Sequence, residues 1–224
     1  MNNLSSDSIN KNTEQGQRKY QGIYGIYEIN KKDEHEVRLY RISLLCCGLS
    51  FNFGLSQWIL LGPNYAWIWI IPLSISTFFA LNWIHIYLRS IHNILKIFCL
   101  LGSIGALIIL NVINPQNLLI EMSNKPIYLL PITPLFAALT GLGFKEYFCF
   151  KQVEAIGITI LLPLSLILHL LNLFNHLLSI SLIYLSSILL IILALKKFGT
   201  NPANDIGDKS IFDFLENERA SSKA

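Results

Sequence analysis

The chain has 224 residues, of which 53% are hydrophobic and 14% are charged, with a formal net charge of +3 and a mean hydropathy of +0.49. This composition excludes an ordinary soluble globular domain, in which about a quarter of the residues are charged. The basic residues lie at the ends of apolar segments and form no patch with interleaved aromatics, so we expect no nucleic-acid partner. Four cysteines without CxxC spacing favour neither a disulfide framework nor a zinc ribbon.

The N-terminal region divides into two predicted segments. Residues 1–19 are polar and predict a disordered tail, because they hold too few large apolar side chains to offset chain entropy. Residues 20–41 predict an interfacial segment on the inner face, followed by a helix that leads into the first span. Within this region, residues 20–29 fit either a short strand or hairpin, or a segment that lays Tyr20, Tyr24 and Tyr27 on the bilayer interface. Asn30 fits the N-cap of the helix.

Six apolar segments occupy residues 42–195. Each is close to the roughly 20 residues that an α-helix needs to cross a hydrocarbon core of about 30 Å. The segments lack the alternation of strands, and only helices or closed barrels span lipid. The predicted fold class is therefore all-α, a polytopic membrane bundle of six transmembrane helices. The predicted spans are about 42–61, 66–88, 94–113, 127–144, 155–174 and 177–195.

Basic residues at the segment ends predict the orientation of the bundle. Lys125 is the one basic residue in the connections of one side, and ten lie on the other. By the positive-inside rule, both termini face the cytoplasm. Residues 196–224 then form a cytoplasmic tail, with a short amphipathic helix at about 210–217 that Ser210 caps. The ten basic residues are Lys31, Lys32, Arg38, Arg41, Arg89, Lys96, Lys145, Lys151, Lys196 and Lys197.

The unusual side chains gather at the inner end of the predicted bundle. Pairing of Lys145 with Glu146, and of Lys151 with Glu154, fits ordinary interfacial ion pairs. The alternative is that Glu146 or Glu154 faces inward, where an ionisable residue is costly and has a partner. No HxxxH, CxxC or paired ExxH motif occurs, so we predict no catalytic residue, cofactor or metal ligand. The candidate polar cluster comprises His85, Arg89, His92, Lys145, Glu146, Cys149 and Glu154.

Four stretches carry a family resemblance: VRLYRISL, IHIYLRSIHNILKIF, FAALTGLGFKEYFCF and DIGDKSIFDFL. Over about residues 20–215 the sequence resembles a family of uncharacterised integral membrane proteins of cyanobacteria, with plastid relatives. The resemblance implies a multi-pass protein of a cyanobacterial plasma or thylakoid membrane. It implies no catalytic or ligand-binding residue.

Three functional classes remain open. The first is a non-enzymatic factor that assembles or stabilises a larger membrane complex, which by analogy of lineage is photosynthetic. It would dock through inner-face segments at 20–29, 146–151 and 206–215. The expected partners are the lipid bilayer and either another membrane protein or a second copy of the chain.

The second class is a small-solute or ion transporter or channel. It would use Lys145, Glu146, His85 and Arg89 as gate or ion residues, and it requires a polar path lined by Asn82, His85 and Thr140. The third class is a membrane redox protein that binds a metal or pigment.

Overall fold

The computed structural model describes residues 18–84, 89–171, 173 and 176–211, and these form two compact units. The first unit contains residues 18–38 and 201–211, and the second contains residues 39–200. The described strands and α-helices are β1 (Arg18–Gln21), β2 (Ile26–Ile29), α1 (Lys31–Leu61), α2 (Ile70–Trp83), α3 (Arg89–Val112), α4 (Leu118–Asn124), α5 (Thr133–Phe148), α6 (Leu162–Leu170), α7 (His176–Phe198) and α8 (Ala203–Ile206).

The first unit is built on a β-hairpin. Strands β1 and β2 pair antiparallel, with Arg18 opposite Ile29 and Gln21 opposite Ile26. Residues 20–29 therefore belong to a hairpin, and the placement of their aromatic rings at the bilayer interface stays a prediction. Strand β1 contains residues 18 and 19, so the prediction of a disordered tail is wrong for these two residues. Residues 1–17 of that tail lie outside the described residues.

A capping box begins α1, as the sequence suggests at Asn30. The Asp33 N–H donates to Asn30 Oδ1 at 3.0 Å, and the Asn30 N–H donates back to Asp33 Oδ2 at 2.9 Å. Lys209 Nζ also donates to Asp33 Oδ2, at 2.9 Å. Ile29, Val37 and Ile206 form the buried core of this unit. Residues 212–217 of the predicted C-terminal helix lie outside the described residues.

Five helical segments of the described residues are long and apolar enough to cross a membrane. They agree with an all-α, multi-pass membrane protein. The fourth predicted span, 127–144, instead forms a 3₁₀-helix (Pro126–Leu129) and the 16-residue helix α5. The number six and the side on which the termini lie therefore stay predictions. The five segments are Lys31–Leu61, Ala66–Trp83, Ser90–Val112, Val153–Leu170 and Leu177–Phe198.

Helix α5 supplies much of the core of the second unit. Leu135, Ala138, Leu139 and Leu142 are all fully buried there, against apolar residues of α1, α2, α6 and α7. Pro134 lies in the first turn of α5, where the missing proline N–H breaks no helical hydrogen bond. At about 24 Å long, the helix is shorter than a hydrocarbon core.

Two glycines of α3 allow α5 and the residues before it to approach closely. A Cβ on Gly102 would overlap the backbone of Leu135, and a Cβ on Gly105 would overlap the carbonyl of Pro131. Small residues serve this purpose in membrane bundles, where close van der Waals packing holds helices together and burial from water does not. This packing fixes α5, and with it the acidic residue near its end.

Candidate functional site

A buried carboxylate joins three helices of the second unit. Glu146, in the last turn of α5, accepts a hydrogen bond from Tyr40 Oη of α1 at 2.6 Å. Its other oxygen accepts from Lys197 Nζ of α7, also at 2.6 Å. The side chains of all three residues are buried. These short, charge-assisted contacts link α1, α5 and α7 at one point.

A second ammonium lies beside this pair. Lys145 Nζ is 5.4 Å from the ring centroid of Tyr40 and 4.8 Å from that of Phe150. Lys197 Nζ is 5.6 Å and 4.9 Å from the same two rings. Ammonium groups within about 6 Å of an aromatic face are stabilised by the ring quadrupole. The two rings therefore help to hold two cations next to one carboxylate. We call Tyr40, Lys145, Glu146, Phe150 and Lys197 the buried ion cluster.

Helical spacing explains why these side chains converge. On α7, Leu190, Leu193, Ala194 and Lys197 occupy positions i, i+3, i+4 and i+7, and all four are buried. On α1 the buried Tyr40, Leu44, Cys47 and Phe51 occupy positions i, i+4, i+7 and i+11, and on α5 so do Leu135, Leu139, Leu142 and Glu146. Each polar residue thus continues a core-facing apolar stripe by one or two turns.

An exposed ion pair accompanies the buried one. Lys196 Nζ donates to Glu154 Oε1 at 2.8 Å, and both side chains are more accessible than those of the buried ion cluster. The other oxygen of this carboxylate, Oε2, has no hydrogen-bond partner among the described residues. The neighbouring Lys151 is exposed and has a positive φ of 54°.

The structure distributes the seven candidate residues over several places. Lys145 and Glu146 are together in the buried ion cluster, and Glu154 belongs to the exposed pair. His92 Nε2 donates to the carbonyl of Leu81 at 2.6 Å, and Cys149 is exposed. His85 and the side chain of Arg89 lie outside the described residues.

The ion pairs differ from those that sequence spacing suggests. Lysines of α7 approach the two carboxylates: Lys197 bonds to Glu146 and Lys196 to Glu154. Sequence reasoning missed Tyr40, Phe150 and Lys197 as members of the site, and it interpreted Lys197 as a topology residue alone. The available signal was the i, i+3, i+4, i+7 stripe that Lys197 completes.

The buried ion cluster can stabilise a charged carboxylate and can fix α1, α5 and α7 to one another. Both carboxylate oxygens of Glu146 are engaged by donors, and the buried setting removes water as a competing partner. Among residues 18–84, 89–171, 173 and 176–211, no three His, Cys, Asp or Glu side chains are placed to hold a metal ion. The arrangement can therefore act as a structural tie, or as a carboxylate that exchanges partners within the membrane.

The sequence matches one family model. Residues 79–214 match the family described as Uncharacterized integral membrane protein (DUF2301). This stretch covers more than half of the 224 residues and contains Lys145, Glu146, Phe150 and Lys197, whereas Tyr40 precedes it. No curated protein and no solved structure matches the chain.

Proposed function

We propose that the chain, which belongs to the DUF2301 family of uncharacterised integral membrane proteins, is a non-enzymatic factor. Its proposed role is to assemble or stabilise a larger membrane complex. The observation that carries this proposal is the exposed apolar surface of the hairpin in the first unit. The loop between β1 and β2 presents Ile23, which is 80% exposed, and Tyr24, and the first residue of β2, Ile26, is exposed as well. Contiguous exposed apolar side chains of this kind mark interaction sites.

The hairpin loop is held in shape by the C-terminal part of its own unit. The Ile23 N–H donates to Asp208 Oδ2 at 2.6 Å, and the Tyr24 N–H donates to Ser210 Oγ at 3.1 Å. Gly22 packs so closely that a Cβ there would overlap the Asp208 and Ser210 side chains. A loop that is already ordered loses little entropy on binding, so its apolar contacts favour association more fully.

The composition of the loop favours a protein partner over a lipid surface. Residues 20–27 contain no charged side chain, whereas amphipathic helices that lie on membranes carry Lys and Arg on their polar face. Tyrosine and large apolar residues are typical of the centre of a protein–protein interface. We therefore take the partner to be an apolar surface of another membrane-complex subunit. The resemblance to cyanobacterial and plastid proteins leads us to place that complex in a thylakoid or plasma membrane, with a photosynthetic complex as the first candidate.

The other two suggested docking segments contribute less. Ile206 is buried in the core of the first unit, and Glu146 is buried in the second. Phe148 and Cys149 are exposed, so part of the 146–151 segment remains accessible. The hairpin loop is thus the surface with which the test begins.

The test compares two tagged variants purified in mild detergent from the native membrane. We expect the wild-type chain to co-purify with a stoichiometric subunit of one membrane complex, identified by mass spectrometry. The double substitution Ile23→Asp and Ile26→Asp removes the apolar surface and abolishes co-purification. The control Lys32→Ser changes an exposed side chain of the same unit, and this variant should still co-purify with the subunit. Equal recovery of the subunit with both variants would contradict docking through the hairpin.

A second candidate function is transport of an ion or small solute, which the buried carboxylate Glu146 favours. Ionisable residues inside a membrane bundle often lie on substrate or proton pathways. Of the predicted polar path, Asn82 is exposed and Thr140 donates to the carbonyl of Phe136 in its own helix, while His85 lies outside the described residues. Flux into proteoliposomes tests the candidate. Transport above protein-free liposomes, altered by Tyr40→Phe, would support it, and its absence in the wild-type protein would rule it out.

A further inference from the structure

The second unit contains an apolar cavity of about 130 Å³. Its walls come from α1, α2, α4, α6, α7 and the residues around α5, and nearly all of the lining surface is hydrocarbon or aromatic. Trp58, Trp69, Phe136, Leu166 and Ile183 are among the lining residues. Several of these side chains are only half-buried, so the cavity is not sealed by its walls.

Ser179 is one of the few polar residues that line this apolar cavity. Its side chain lines the cavity and is 2% exposed, and its hydroxyl has no hydrogen-bond partner among the described residues. The neighbouring serines of α7 differ, since the hydroxyls of Ser181 and Ser186 donate to the carbonyls four residues earlier at 2.8 Å. A buried hydroxyl without a partner is unfavourable, and a bound molecule with an acceptor atom relieves that cost.

The size of the cavity limits what can occupy it. An engineered protein cavity of about 150 Å³ lined by apolar side chains takes up benzene, so a volume near this accommodates a ring or a short length of hydrocarbon chain. A free carboxylate would be costly in such surroundings, because no Lys or Arg is among the described lining residues and Nε2 of the lining His169 already bonds to the carbonyl of Met122. The occupant is therefore apolar and carries an uncharged acceptor such as a carbonyl.

The position of Ser179 along α7 indicates the depth at which this acceptor lies. Ser179 follows His176, the first residue of α7, by three positions, or about 4.5 Å of helix rise. Trp58 lies three positions before the end of α1, and tryptophan is enriched at the boundary between hydrocarbon and headgroups. The ester carbonyls of membrane glycerolipids lie at this same boundary, with the acyl chain directed into the hydrocarbon core.

We propose that the cavity binds an acyl chain of a membrane glycerolipid, and that the Ser179 hydroxyl donates a hydrogen bond to the ester carbonyl of that chain. The hydrocarbon of the chain fills the space between Trp58, Phe136 and Ile183. The bilayer itself supplies the ligand, so the site is occupied in the membrane and emptied by extensive delipidation. This lipid site is independent of the hairpin surface, and neither proposal depends on the other.

Two probes of equal chain length separate the hydrocarbon contact from the hydrogen bond. Delipidated full-length protein is titrated with methyl decanoate and with decane, and thermal stabilisation gives the affinity for each. We expect both probes to bind the wild-type protein. Ser179→Ala should lower the affinity for methyl decanoate about fivefold and leave the affinity for decane unchanged. Ser181→Ala, whose hydroxyl is exposed and already bonded to Leu177, is the matched control and changes neither.

A second variant is designed to fill the cavity. Ser179→Phe places a ring in the cavity and should abolish binding of both probes. Ser179→Ala in the delipidated protein should melt no lower than wild type, because it removes an unpartnered hydroxyl. If Ser179→Phe binds the probes as well as wild type, or if Ser179→Ala leaves the preference for the ester unchanged, the proposal is wrong.

The source of the carbonyl is identified from the native membrane. Native mass spectrometry of the gently purified wild-type protein should show one retained diacyl lipid, reduced in Ser179→Phe and retained in Ser181→Ala. A retained non-lipid molecule with a carbonyl, such as a quinone, would overturn the lipid assignment.

Discussion

Two neighbouring lysines at the end of α7 form the same kind of ion pair in opposite surroundings. The Lys197–Glu146 pair has side-chain exposures of 2% and 0%, and its atoms are 2.6 Å apart. The Lys196–Glu154 pair has exposures of 53% and 22% at 2.8 Å. One step along an α-helix turns the side chain by about 100°, which places one lysine inside the bundle and the other outside it.

The two pairs differ far more in burial than in the distance between their charged atoms. The Glu154 carboxylate is partly accessible, so water or headgroups can solvate it when it loses Lys196, and such a pair contributes about 1 kcal/mol or less. A buried carboxylate that loses its lysine has no such replacement, and its desolvation cost is left uncompensated. The two pairs therefore predict very different responses to the same substitution.

The largest expected effect is that of Lys197→Met. It leaves Glu146 buried without this ammonium and should lower the free energy of unfolding by about 3–5 kcal/mol. Lys196→Met, the adjacent residue on the same helix, should cost about 1 kcal/mol or less. Unfolding by sodium dodecyl sulfate in mixed micelles, followed by circular dichroism, measures both. Similar losses for the two variants would show that the buried pair does not differ from the exposed one.

Removing both partners of the buried pair should restore much of this loss. The double variant Lys197→Met and Glu146→Gln contains no uncompensated carboxylate, and it should recover about 2 kcal/mol relative to Lys197→Met alone. The same assay, applied to a double-mutant cycle with Glu146→Gln, gives the coupling free energy. Additive losses would mean that Lys145 alone compensates Glu146.

Loss of the tyrosine hydroxyl has a smaller effect. Tyr40→Phe removes the 2.6 Å hydrogen bond to Glu146 but keeps the ring beside Lys145 and Lys197. A hydrogen bond to a charged group contributes about 1.5–3 kcal/mol, and the lower end applies because Lys197 continues to bind the carboxylate. Tyr40→Leu, which also removes the ring, should cost more. If the two variants are equally stable, the ring contributes nothing to holding the lysines.

The smallest effect concerns a carboxylate held by hydrogen bonds in the first unit. Burial raises the pKa of Asp208, but the hydrogen bonds it accepts from the Ser210 hydroxyl and from the N–H groups of Ile23 and Ser210 outweigh burial and hold the pKa below its ordinary value of about 3.8. The unfolded unit then binds the proton first, so this contribution is present above about pH 3.8 and is lost as the pH falls through the folded-state pKa.

Amide hydrogen exchange of the hairpin segment in the full-length protein, measured between pH 5 and pH 3 and corrected for intrinsic exchange rates, reports this loss of stability. We expect less than about 1 kcal/mol, because the carboxylate is only partly buried. Asp208→Asn should already be less protected at pH 5 and should remove the pH dependence. A pH dependence that persists in this variant would assign it to another group.

Some features of the molecule follow from short stretches of sequence. Apolar runs of about 20 residues predict the membrane-crossing segments, because the thickness of the hydrocarbon core sets their length. Asn30 followed by Asp33 predicts the start of α1, because a cap is a contact between residues three apart. The α5 region is harder to predict, since Pro131 and Pro134 divide one apolar run into a 3₁₀-helix and a short α-helix.

The sequence by itself determined that the chain is a multi-pass membrane protein and that charged residues collect at the ends of its helices. Only the tertiary structure decided that Glu146 faces Tyr40 and Lys197, and that Lys196 remains outside. In a soluble helix the polar face identifies the side opposite the core, but exposed residues of α7 such as Ile192 and Leu195 are as apolar as the buried Leu190 and Leu193. With apolar residues on both faces, the packing of the neighbouring helices selects which of two adjacent lysines is buried.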